Sequence, residues 1–170
     1  MRTAVAIMWI VLIPAAITGC QRQVDEGPTE LNGRHFVFNY RVSTATYLIN
    51  LARKAEIPQG SFAIAEFENP MGGDPLVVRE KIFPFWDRIT LQSPAVHCVR
   101  KDRPYAVNIR LVDADGKTLQ TIRTEVISDE DQSVLAAKPL VVGPVYSINP
   151  DLLKENGRID FTPEKCPAAG

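Results

Sequence analysis

An all-β fold is what the sequence predicts: an antiparallel, Ig-like β-sandwich of about seven strands, preceded by a separate N-terminal segment. Three observations lead there. Beyond position 35 the apolar residues fall in short runs that alternate with a period of two. Clusters of Pro, Gly, Asn and Asp recur between those runs at regular spacing. No stretch past the N-terminal segment sustains a long helical period, which leaves two packed layers of sheet as the way to bury the alternating faces.

The N-terminal segment differs from everything after it. Met1, Arg2 and Thr3 lead into "AVAIMWIVLIPAAI", with no charge between Arg2 and Arg22. A short basic start followed by an apolar run fits a secretory signal. A spanning helix would need ~20 apolar residues with anchoring flanks, and Pro14 interrupts this run. The tetrad Ile17-Thr18-Gly19-Cys20 resembles the bacterial lipobox, whose cysteine thiolate accepts a diacylglyceryl group at the bilayer surface. Small residues at 18 and 19 leave the peptide bond open to a peptidase. The alternative is an ordinary signal with a cysteine there by chance. Under the lipobox reading residues 1–19 are removed, Cys20 becomes the N-terminus, and its acyl chains hold stably because two or more are needed and a lipobox cysteine carries three. Gln21 stands where an aspartate would mark inner-membrane retention, which points to the outer membrane and a periplasm-facing domain.

Residues 20–34, beginning "CQRQVDEGPTELNG", are polar, with Gly and Pro and no periodicity, and read as a tether. The domain is then 35–170, one unit by length. A formal net charge of −1 across 170 residues, with no basic face, gives nucleic acid nothing to bind. Apart from Cys20, the cysteines are Cys98 and Cys166. In an oxidising compartment an even pair reads as a disulfide, and closing a loop of that length is worth about 4 kcal/mol on chain entropy. A metal site through Cys98 and neighbouring His97 is the alternative, and two adjacent ligands without a second pair make a poor zinc pattern.

Within the domain, "HFVFNYRV" sets Phe36, Phe38, Tyr40 and Val42 on one side. "TATYLINLARKAEI" suits either strand or helix, and its β-branched, aromatic start leans it toward strand. "SFAIAEFEN" is a strand apolar on both faces, ended by the turn cluster "NPMGGDP". "PLVVREKIF" alternates Leu76, Val78 and Ile82 against Val77, Arg79 and Lys81; "RITLQS" and "AVHCVR" flank Pro94. The clearest unit is "RPYAVNIRLVDADGKTLQTIRTEVI". Tyr105, Val107, Ile109 and Leu111 share a face, and Asp115-Gly116 reads as a two-residue type I′ turn into the partner strand Leu119–Ile127. Another strand falls near Leu140–Val142, and the tail to Cys166 holds one short helical turn at most.

Catalytic patterns are sparse. His35 and His97 are the only histidines, and neither accompanies a nucleophile signature. "DADGK" opens like a calcium loop, but position 124, where the closing glutamate would fall, is Thr124. No metal site and no cofactor other than a covalent lipid on Cys20 is expected, and no enzymatic activity. "IFPFWDRI" groups Phe83, Phe85 and Trp86 around Pro84. They form either a kinked core or edge strand or an aromatic lip that grips a partner segment.

From Ala55 to Val145 the chain resembles the YscW/YbaY-like bacterial lipoproteins, which include the type III secretion lipoprotein chaperones, or pilotins. The resemblance rests on "IPQGSFAIAEFEN", on the strand–turn–strand "YAVNIRLVDADGKTLQT", and on the order of the lipobox and "PLVVGPV". The segment "WDRITLQSPAVHC" is longer than its counterpart, and the cysteine pair and the C-terminal tail lie outside the match. The resemblance implies a chaperone-like module that binds an outer-membrane or secretion-system protein, a secretin tail being one such client. β-Augmentation at an exposed edge is the physical mode such binding would take. The other function classes are an envelope-maintenance lipoprotein with no dedicated client and an inhibitor of an envelope enzyme.

Overall fold

The computed structural model describes residues 27–167; the signal segment, Cys20 and the first part of the tether lie outside the described residues. Seven strands build the body: β1 (Thr29–Asn39), β2 (Thr44–Arg53), β3 (Phe62–Phe67), β4 (Leu76–Lys81), β5 (Arg88–Gln92), β6 (Pro104–Val112) and β7 (Thr118–Ile127). They form an antiparallel sandwich, with β1-β2-β5 in one sheet and β4-β3-β6-β7 in the other. Three strands facing four, with consecutive strands crossing between layers, is an immunoglobulin-like arrangement. A small hairpin of β8 (Val141–Val142) and β9 (Ser147–Ile148) follows, with 3₁₀ turns at Gln132–Val134 and Pro150–Leu152.

Alternation explains the layers. In β2 the inward residues Ala45, Tyr47, Ile49 and Leu51 are fully buried, which resolves the ambiguous segment as strand. Ile89 and Leu91 extend that face through β5. Opposite them lie Ala63, Ala65 and Phe67 of β3, Tyr105, Val107, Ile109 and Leu111 of β6, and Ile122 and Val126 of β7. Tyr105 anchors the corner between β5 and β6, where its hydroxyl accepts a hydrogen bond from the Arg100 amide at 2.7 Å. A tyrosine at this point of a sandwich, bonded a few residues upstream, fixes how the chain crosses between sheets.

Three local expectations change. The first strand starts at Thr29, so residues 29–34 belong to β1 and not to the tether. A bulge between Leu31 and Gly33 breaks the alternation there, which hid the strand's start from a period-two reading. Thr29 is buried because Gln120 of β7 takes its amide and hydroxyl (3.1 and 2.9 Å) and donates back to its carbonyl at 2.9 Å. Second, β1 ends at Asn39, whose side chain accepts the Arg41 amide at 3.1 Å, so Tyr40 leaves the core face and is exposed. Third, Asp115-Gly116 is not a type I′ turn. Gly116 has φ +83° but Asp115 is not in the left-handed region, whereas that turn needs both. The Asp113 carboxylate instead takes the amides of Asp115 (3.0 Å) and Lys117 (2.8 Å), building a longer loop.

Candidate partner-binding site

Antiparallel order puts alternate loops at opposite ends of the sandwich. One end carries Gly27 and Pro28, the β2–β3 loop, the β4–β5 loop and the β6–β7 loop. The other carries the β1–β2, β3–β4 and β5–β6 connections and the C-terminal tail.

Phe83, Phe85 and Trp86 occupy the β4–β5 loop at the first end. Ile82 ends the run into the core, and a turn follows in which the Trp86 amide donates to the Phe83 carbonyl at 3.1 Å. The three rings pack on one another outside the core cluster, with Phe83 centred 4.9 Å from Trp86 and 5.6 Å from Phe85. Phe85 is 77 % exposed. Lys81 lies over the Phe83 ring at 5.4 Å, and the Arg53 guanidinium donates to the Pro84 carbonyl. Phe85, Trp86, Asp87, Arg88 and Thr90 line a shallow depression of about 370 Å³. The trio is thus a preformed projecting cluster, part of neither a core strand nor an edge strand.

The edges of the sheets offer less than the sequence suggested. β4 pairs only with β3, and its exposed side chains are Val77, Arg79 and Lys81. Charges on an edge discourage strand addition. The β1–β7 seam is bridged by the Arg34 guanidinium, which donates to Thr124.

The second end shows a surface the sequence reading passed over. Leu140 and Val141 donate to the Arg41 carbonyl (2.9 and 3.2 Å), seating the β8–β9 hairpin against the β1–β2 loop. Val145 is 80 % exposed, and Tyr146 and Ile148 are open beside it, with Arg41 over the Tyr146 ring at 5.2 Å. Leu153 and Phe161 add to the exposed apolar surface of the tail. "GPVYSI" carried the signal, as apolar residues packed into a turn too short to bury them. Ile148 faces out, because it lies in a two-residue strand at the hairpin's rim. Leu152 is buried, and Ile159 is partly so.

Cys98 and Cys166 are joined, with Cα atoms 5.4 Å apart. Cys98 is buried in the β5–β6 corner with φ +64°, while Cys166 is exposed. The bridge occupies the Cys98 sulfur, which removes the Cys98–His97 metal alternative. His97 Nδ1 instead meets Glu164 Oε2 at 2.7 Å, tying the same corner to the tail. His35 sits exposed on β1. Among the described residues no three His, Cys, Asp or Glu side chains gather as a metal site, and no helix is long and apolar enough to cross a membrane. No family model matches the chain, and no curated protein matches it.

Proposed function

We propose that this protein is an outer-membrane lipoprotein whose periplasmic sandwich holds a protein partner. The observation that carries the reading is the placement of exposed apolar surface opposite the end where the chain enters from Cys20. Val145, Tyr146 and Ile148 are held out at the far end of the domain, where they would face the periplasm. Exposed apolar side chains gathered on one element are what a protein interface uses as its buried centre. The lipobox-like tetrad supplies the anchor, and the resemblance to pilotin-type lipoproteins supplies the class of client, a protein destined for the same membrane.

The anchor is tested first. Cys20→Ser is expected to leave the precursor unprocessed and misplaced in fractionated cells. A variant with the wild-type mass and the wild-type membrane fraction would rule out lipidation there. For the partner, the mature protein used as bait on detergent-solubilised envelopes should repeatedly retain one envelope protein, and Val145→Asp should lose it. Recovery of nothing, or equal recovery by bait and variant, would remove the hairpin from the interface.

A further inference from the structure

We infer that the aromatic turn Phe83–Trp86 inserts into the headgroup layer of the anchoring membrane and seats the sandwich on it, tether end down. The inference rests on the anchor reading above. Its basis is where the chain enters the fold. Residues 20–26 can span at most ~25 Å, so an acylated Cys20 keeps Gly27 within that distance of the bilayer. Gly27 opens onto the end of the sandwich that carries the turn. The Pro28 carbonyl accepts the Lys54 amide at 2.8 Å, and the adjoining Arg53 donates its amide to the Asp87 carbonyl at 2.9 Å and its guanidinium to Pro84. Pro28 and the aromatic turn therefore sit two strands apart, on either side of the end of β2.

The chemistry of the turn suits that layer. Tryptophan and phenylalanine gain by removal of apolar ring from water, and the indole N–H keeps a polar neighbour at the headgroups. Lys81, Arg53 and Arg88 border the rings, with Asp87 among them, and their long stems let the charges reach the phosphates while the rings go deeper; Glu30 at the same end is paired with Lys54. Asp113 and Asp115 on the β6–β7 loop occupy the same end, so insertion is confined to the β4–β5 turn and the domain leans onto it. Because the rings are already packed on one another, little side-chain freedom remains to be lost on insertion. A second attachment beside the tether would orient the opposite end, with its β8–β9 hairpin, away from the membrane.

The sequence contains two tryptophans, Trp9 and Trp86, and processing ahead of Cys20 leaves Trp86 as the sole tryptophan, whose emission is read under excitation at the red edge that spares the four tyrosines. The mature protein is purified, the mass of its N-terminal peptide is measured, and the protein is reconstituted in vesicles of phosphatidylethanolamine and phosphatidylglycerol with or without brominated acyl chains. The mass scores the anchor and Trp86 scores the turn, so either can fail while the other stands. Insertion predicts blue-shifted emission that loses most of its intensity to brominated lipid, and a Phe85→Ser variant in which that loss is reduced. Equal emission from both vesicles, with Trp86 freely quenched by iodide, would overturn the inference. A photoreactive residue placed at position 85 in cells should give lipid adducts. Adducts with a protein instead would assign the turn to a protein partner and sink membrane insertion.

Discussion

Tyr47→Ala should cost roughly 3–5 kcal/mol, the range for removing a large aromatic from a core. Domains of this size are stable by only ~5–15 kcal/mol, so the variant lies near the threshold of folding. Tyr47 is fully buried in the middle strand of its sheet. Its ring is 4.4 Å from Phe36 on the neighbouring strand, 5.2 Å from Phe67 and 6.3 Å from Tyr105 across the sandwich. Phe36 also meets three rings from both layers, but it is only partly buried, which leaves Tyr47 as the fully buried ring at the centre of the cluster. Its hydroxyl reaches through to the rim and donates to the Glu68 carbonyl at 2.7 Å. Tyr47→Phe keeps the ring and removes that donor, so it should cost ~1–3 kcal/mol.

The same burial pushes the Tyr47 phenol well above its ordinary range, with the nearby Glu68 carboxylate adding to the effect. In the unfolded chain the phenol ionises near its ordinary pKa of 10.0. Between that value and the raised folded one, the unfolded state has released a proton that the folded state keeps. Tyr47 therefore contributes its full stabilisation below about pH 10 and loses it steadily as the pH rises further. Urea titration at neutral and alkaline pH measures both effects. A Tyr47→Ala midpoint within experimental error of wild type would show that the core is not organised around this ring.

The parts of the fold legible in sequence were those in which period and turn chemistry agreed. Tyr105, Val107, Ile109 and Leu111 were readable as one face because nothing interrupts their alternation, and all four are fully buried. Where a local device breaks the period, the reading failed. The Gly33 bulge hid six residues of β1, and the Asp113 carboxylate organised a loop that the dipeptide Asp115-Gly116 suggested would be tighter. The aromatic trio was visible as a cluster, but its position at the same end as Pro28, across β2 from it, depends on β2 lying between β1 and β5, an arrangement of the sheet that no local pattern encodes. The His97–Glu164 contact joins residues 67 apart in sequence and follows from the disulfide path alone. The far-end hairpin was missed because its apolar residues read as strand core, whereas each strand is only two residues long.

Reduction of Cys98–Cys166 is the second change expected to have a large effect, and it should act on the tail before the sandwich. The bridge spans a sequence separation of 68, which on chain entropy corresponds to ~4 kcal/mol. The tail has little else of that size to hold it. Between Pro139 and Pro167 only Asn149 and Leu152 are buried, while Val145, Leu153 and Phe161 are open. Its remaining ties are polar, among them the exposed His97–Glu164 contact at 2.7 Å, the Arg100 guanidinium to the Pro167 carbonyl, the Ala137 amide to the Thr162 carbonyl at 2.9 Å, the Leu140 amide to the Arg41 carbonyl at 2.9 Å, and the Asn149 side chain to the Pro139 carbonyl at 2.8 Å. Each such bond contributes on the order of 1 kcal/mol net, less than the ordering of the residues that make it requires. Nearer the body the hold is firmer. Gln132 is buried, its side chain accepting the Val99 amide at 2.9 Å, with Leu135 and Ala136 packed beside it. The double variant Cys98→Ser/Cys166→Ser should therefore lose hydrogen-exchange protection at Ala137, Leu140, Asn149 and Asp160, while Gln132, Val107 and Ile109 keep theirs. The β8–β9 hairpin would lose its fixed position with the tail, so capture of the partner should fall together with that protection. Two reactive thiols in the denatured, unreduced mature protein would show that the bridge does not form. Unchanged tail protection after reduction would show that the polar ties suffice without it.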